Sequence, residues 1–131
     1  MPNQPMTNNP LPDKPKEFLT LEKVFDMIEY AYTALAQFPK SEKFGLVTDI
    51  KRTMDEILGL CIEVQKRRTK KTTLTNLDIA IAKLKAYTRL ALHLKFLPPR
   101  KYGLWTDMNA EIGRMVGGML RAEQQTDNHR A

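Results

Sequence analysis

Residues Thr73–Phe96 read TLTNLDIAIAKLKAYTRLALHLKF, and this stretch decides the fold. Leu74, Leu77, Ile81, Leu84, Tyr87, Ala91 and Leu94 recur at three- and four-residue spacing, the signature of one apolar stripe on a helix. The spacing predicts a helix from Thr73 or Thr75 to Phe96, closed by Pro98 and Pro99. On the N-terminal side, Phe44, Val47, Ile50, Met54, Ile57, Leu58, Cys61 and Ile62 form a second stripe, predicting a helix from Glu42 to Arg68 with Ser41 as its cap. Its acidic start and basic end (Lys66, Arg67, Arg68) suit the helix dipole. Earlier still, Leu21, Val24, Phe25, Ile28, Ala31, Tyr32 and Leu35 predict a helix from Leu21 to Gln37, capped by Thr20 and ended by Pro39. After Pro98 and Pro99, a fourth helix carries Leu104 or Trp105, Met108, Ile112, Met115 or Val116, and Met119, running to about Arg121. No segment alternates with period two. Four helices joined by short breaks predict an all-α, antiparallel up-down-up-down bundle, with Ile57, Cys61, Ile81, Leu84, Ile112 and Met115 buried together.

The bundle is expected over residues 17–121. Residues 1–16 hold five of the eight prolines and predict a mobile tail, and residues 122–131 predict a polar, frayed end. The chain has 131 residues, which suits one domain. No apolar run reaches the roughly 18 residues of a membrane span, so no membrane association is expected. No secretory signal is readable, and the single cysteine, Cys61, excludes an intrachain disulfide framework and fits a reducing cytoplasm. Two histidines (His93, His129) and one cysteine do not make a standard zinc site, no G-x-x-x-x-G-K loop is present, and no cofactor is expected. Acidic residues such as Asp55, Glu56 and Glu63 lack a nucleophile–base–orienter arrangement, so an enzyme is not expected.

Charge is the informative property. Lysine plus arginine number 21 against 15 acids, a net of +6. Between Val64 and Tyr102 the only acid is Asp78, and that window carries +10, leaving −4 for the remainder. A clustered basic surface suits a polyanion, because it displaces counterions from nucleic acid; a merely solvated face is the alternative. Lys66, Arg67, Arg68, Lys70 and Lys71 mark one cluster. Lys85, Arg89 and His93, spaced by four, share a ridge whose like charges repel. Tyr87, Tyr102 and Trp105 lie near enough to stack bases, though each also fits a core stripe. Gly113, Gly117 and Gly118 inside the fourth helix imply a packing reason, within the bundle or between subunits. Leu60, Val64, Ile79, Leu90, Leu92, Phe96 and Leu97 lie off the main stripes and suggest a second buried face on helices two and three.

Four segments in order resemble the accessory variability determinant (Avd) family of diversity-generating retroelements. They are Ala36–Phe44 (AQFPKSEKF), Lys70–Asp78 (KKTTLTNLD), Arg89-Leu90-Ala91 with Phe96-Leu97, and Glu111–Gly118 (EIGRMVGG). The likeness spans about residues 20–121, while the proline-rich start lies outside the family pattern. It implies a non-catalytic four-helix protein that assembles as a homopentameric barrel. Such proteins assist a reverse transcriptase whose error-prone copying of template RNA into cDNA diversifies a target gene. The residues implied to bind the polymerase or nucleic acid are Arg67, Arg68, Lys70, Lys71, Lys85, Arg89 and Arg114. Four-helix proteins encoded in ribosomal RNA intervening sequences share the fold and remain an alternative, as does a structural oligomer that binds only protein.

Overall fold

The computed structural model describes residues 14–130, with side chains described as far as Thr126. The expected tail over 1–16 therefore lies mostly outside the described residues; of its last three, Lys16 already belongs to the first helix. Four helices make up the fold: α1 (Lys16–Leu35), α2 (Leu46–Lys66), α3 (Lys71–His93) and α4 (Pro99–Arg130). There is no strand among the described residues. Helix α1 packs on α2 and α4, and α3 on α2 and α4, while the diagonal pairs make no close approach. Short corners force consecutive helices to run antiparallel, and this square of neighbours is a four-helix bundle.

The helix ends differ from the sequence reading, each for a local reason. Helix α1 begins at Lys16 because Pro15 presets its own φ and its carbonyl accepts the N–H groups of Phe18 (3.0 Å) and Leu19 (3.1 Å). Thr20 is therefore interior and buried, its hydroxyl donating to the Lys16 carbonyl at 2.7 Å. Helix α1 stops at Leu35, and Lys40–Glu42 form a single tight 3₁₀ turn after Pro39. Helix α2 starts only at Leu46, whose N–H is met by the Glu42 carboxylate at 3.3 Å, so Glu42 rather than Ser41 covers that end. Arg67 is extended (φ −83°, ψ 146°) and stops α2 one turn from the α3 start at Lys71.

At the far end of α3 the chain turns through a Schellman closure. The Lys95 N–H donates to the Leu92 carbonyl at 3.0 Å and the Phe96 N–H to the Ala91 carbonyl at 2.9 Å. Lys95 itself is left-handed, with φ 64°. This closure ends α3 at His93 and folds Phe96 and Leu97 inward: Leu97 is buried, and the Phe96 ring lies 5.8 Å from that of Phe38 on the α1–α2 corner. Helix α4 runs nine residues past the expected Arg121, through a segment rich in helix formers (Glu123, Gln124, Gln125).

The core is built from Val24, Met27, Ile50, Met54, Ile57, Cys61, Leu77, Ile81, Leu84, Trp105, Ile112 and Val116. Of the expected central set, only Met115 departs; it is half-buried while its neighbour Val116 takes the inward position. Trp105 is buried and Leu104 exposed. Phe25, Tyr32, Phe44, Ile62 and Leu94, placed inward by their spacing, are exposed, Phe44 by 88%. The reason is clearest on α1. Val24, Met27, Ala31 and Ala34 form the inner row, and Leu21, Phe25, Ile28 and Tyr32 form an equally well-spaced row on its flank. Bulk lies on the flank, while the small Ala31 and Ala34 allow close helix approach.

Candidate functional site

Six of the seven basic candidates fall into two groups, and Arg114 stands apart on α4. Arg67, Arg68, Lys70 and Lys71 occupy the α2–α3 corner. Lys85 and Arg89 lie 14 to 18 residues further along α3, about 21–27 Å away at 1.5 Å per residue. At the corner, part of the charge is already answered. The Arg67 guanidinium meets the Glu63 carboxylate through Nε (2.8 Å) and Nη2 (2.7 Å). The pair is exposed and spaced i,i+4, so it stabilises by only about 0.3–0.5 kcal/mol. Lys70 Nζ lies 3.5 Å from Glu17 Oε1, tying the start of α1 to this corner, beside a 3.5 Å contact from Gln65 Nε2 to the Glu17 carbonyl. Lys70 caps α3 without a side-chain hydrogen bond, and no acid stands in the first helical turn, so positive charge sits on the positive end of the dipole. Arg68 is exposed at the same corner.

The middle of α3 is different. Lys85 and Arg89 are exposed, four residues apart on one ridge, and neither has an acidic partner among the described residues. Between them and α4 runs a cleft of about 340 Å³. The space exists because Ala82 and Ala86 on α3 end at Cβ, opposite Tyr102 and Thr106 on α4. No acid lines it. Lys85 also reaches over α4: a Cβ added to Gly113 would lie 2.9 Å from Lys85 Nζ. Arg114, the next residue, is exposed but outside this cleft's lining.

The +10 window is thus not one surface. Lys101 hydrogen-bonds Gln37 at the opposite end of the bundle. Lys83 turns toward α2, stacking over Tyr87 (5.9 Å) beside Asp49 and Glu56. Trp105 is fully buried and cannot stack a base, whereas Tyr102, half-exposed, lines the cleft together with Lys85 and Arg89. Gly117 and Gly118 have only their own helix's Arg121 within 4 Å of an added Cβ, so no neighbouring helix of this bundle packs on them. The surplus apolar surface also lies elsewhere than expected. Val64 and Leu97 are in the core and Leu60, Leu92 and Phe96 are half-buried, leaving Ile79 and Leu90 exposed from that group. The larger exposed set is on α1: Phe18, Leu19, Phe25 and Tyr32.

Cys61 is buried, and desolvation pushes its thiol up to about 12, which suits a core residue and not a nucleophile. The described residues hold no group of three or more His, Cys, Asp or Glu placed to bind a metal. None of the described helices is long and apolar enough to cross a membrane.

The bAvd-like family model matches residues 18–123, from the first turn of α1 deep into α4, the whole bundle. The chain belongs to the bAvd-like family. It is an Avd-type protein, and that family is of a non-catalytic accessory kind. No curated protein matches the chain. As in the sequence reading, the bAvd-like match leaves the proline-rich start outside its bounds.

Proposed function

We propose that this protein is the accessory subunit of a diversity-generating retroelement. In this reading it works in the cytoplasm and binds the cognate reverse transcriptase and its template RNA or cDNA through basic surface, supporting error-prone cDNA synthesis. The observation that carries the reading is the bAvd-like match across the whole bundle. The cations support it. Lys85 and Arg89 have no acidic partner among the described residues and border a cleft with no acid in its described lining, and Arg68 stands exposed beside a helix start with no acid in its first turn. Assembly into a ring of identical subunits, five in this reading, is supported by the exposed Phe18, Phe25 and Tyr32, since such apolar area favours burial against another surface.

The test is co-purification with the reverse transcriptase encoded beside it, with and without RNase, together with RNA binding across a salt series. Lys85→Ala/Arg89→Ala and Arg67→Ala/Arg68→Ala should weaken binding and flatten the dependence of log affinity on log salt by about 0.7–0.9 per lost phosphate contact. Melting should move little, because exposed charges typically contribute within about 0.5 kcal/mol. Unchanged affinity and slope for both variants and both ligands would leave the basic residues as solvated surface. Light scattering that shows a monomer at micromolar concentration would remove the ring.

A further inference from the structure

We propose that the α3/α4 cleft is a site for one nucleotide unit of a single strand, with phosphate on Lys85 and Arg89 and base in the cleft against Tyr102. The inference rests on the reading of this chain as a nucleic-acid-binding accessory protein and adds where and in what form the strand is held. Three observations converge. The cleft, at about 340 Å³, lies at the small end of the range for ligand sites, room for a single planar group and not for a folded one. Its chemistry is divided as a nucleotide's is. Ala82, Ala86 and the Tyr102 ring offer apolar and aromatic contact, while the Lys85 ammonium and Arg89 guanidinium offer charge, about 6 Å apart along α3. Its polar groups are also uncommitted: Lys85 Nζ, the Arg89 guanidinium and the Thr106 hydroxyl have no hydrogen-bond or ion-pair partner among the described residues, although ion pairs form elsewhere in the bundle.

This chemistry selects against a duplex. A paired base is stacked within its helix and presents no free face to an aromatic ring, whereas a single strand can splay a base out. The cleft would read no sequence, because every base has a π face and the cations meet phosphate. The same chemistry would also accept a free mononucleotide, and the experiment separates the two sources.

Fluorescence anisotropy on the full chain would use a labelled 12-nucleotide single-stranded RNA, the corresponding duplex, and unlabelled adenosine monophosphate as competitor. Tyr102→Leu should lower single-strand affinity about tenfold, the loss typical of one stacked base, with the salt slope unchanged and duplex binding unaffected. Lys85→Gln/Arg89→Gln should instead reduce the salt slope by about 1.4, two single-strand phosphate contacts at 0.7 each. Because Tyr102 also packs against the core, Ala86→Leu gives an independent check. It fills the cleft from an exposed helix position with a good helix former, and should reproduce the single-strand loss in a protein with wild-type circular dichroism. If Tyr102→Leu and Ala86→Leu both bind the single strand as wild type while the double charge variant is weakened, the cleft holds no base and this proposal fails, with the basic-surface reading intact. If the mononucleotide competes at the strand's own concentration range, the single-strand assignment is overturned in favour of a free nucleotide. If wild type binds neither RNA at low salt, the cleft proposal and the nucleic-acid reading fall together.

Discussion

Lys95 occupies the position of a Schellman closure that glycine normally fills, and glycine there should be more stable than alanine. Its φ of 64° places a side-chain-bearing residue in the left-handed region, where Cβ crowds the following carbonyl. The strain is held by two hydrogen bonds, Lys95 N–H to Leu92 (3.0 Å) and Phe96 N–H to Ala91 (2.9 Å), and by the inward packing of Phe96 and Leu97. For an L-residue that conformation costs about 1–2 kcal/mol. Glycine avoids the cost but gains unfolded-chain entropy of roughly 0.5–1 kcal/mol. The difference leaves Lys95→Gly more stable than Lys95→Ala by about 0.5–1 kcal/mol. The comparison with alanine matters because both variants remove the same lysine charge from the α3 C-terminus, where it is favourable to the dipole.

Urea unfolding at one fixed protein concentration measures the difference, with the slope of free energy against denaturant required to stay constant. The midpoint should be higher for Lys95→Gly, and Tm should follow by about 2–4 °C relative to Lys95→Ala. A glycine variant equal to or less stable than the alanine variant would refute the assignment of strain to this closure, and with it the reason given for Phe96 and Leu97 turning inward.

Three further outcomes are expected. Gly59 lies inside α2 with nothing within 4 Å of an added Cβ, so Gly59→Ala should raise stability by up to about 1 kcal/mol in the same urea assay. Asn109 is buried with neither its side-chain oxygen nor its nitrogen hydrogen-bonded among the described residues, so Asn109→Leu, close to it in shape, should be neutral to stabilising by about 1–2 kcal/mol; a loss of that size in calorimetry would contradict it. Cys61 should resist iodoacetamide at pH 8 until denaturant is added. Its folded pKa near 12 exceeds the unfolded 9.0, so the folded state binds the extra proton and the stability it contributes, complete below pH 9, declines as pH rises from 9 toward 12, read as a falling urea midpoint.

Helix number, order and approximate span were legible because the apolar spacing is strong in every segment. The ends were not, since three of them depend on residues outside the usual capping set. Pro15 starts α1 through its carbonyl, Glu42 reaches forward to Leu46, and Lys95 takes a left-handed turn that sequence rules reserve for glycine. The choice between rows on α1 was also closed to the sequence. Phe25 and Tyr32 are larger than Ala31 and Ala34, and spacing alone gives no reason to put the small residues inside. It is the close packing of α1 on both α2 and α4 that requires them. At the candidate site, the excess of positive charge was readable but its division was not. Lys70 is answered by Glu17 from 53 positions away, while Lys85 and Arg89 are answered by no acid among the described residues, and only the fold brings Tyr102 and Thr106 against them.

The square arrangement also separates two properties that the sequence mixes. Helix α1 carries the exposed Phe18, Phe25 and Tyr32 and has four acids (Glu17, Glu22, Asp26, Glu29) against two lysines; α3 carries Lys85 and Arg89 and stands diagonally opposite, without contact. A polyanion approaching the bundle would therefore be repelled from the apolar row and drawn to the far side, where cations with no acidic partner among the described residues border the cleft. An apolar partner covering Phe25 and Tyr32 would leave the cleft open for the same reason. Lys51, over the Tyr32 ring at 4.6 Å, and Lys14, over Phe18 at 5.1 Å, shield the apolar row only by flexible side chains, which can swing aside at little cost. In the proposed reading, association through α1 and binding through α3 would thus be separable by substitution. Charge changes at Lys85 and Arg89 should leave subunit association intact, and Phe25→Ser should weaken association while leaving the cleft's own residues in place.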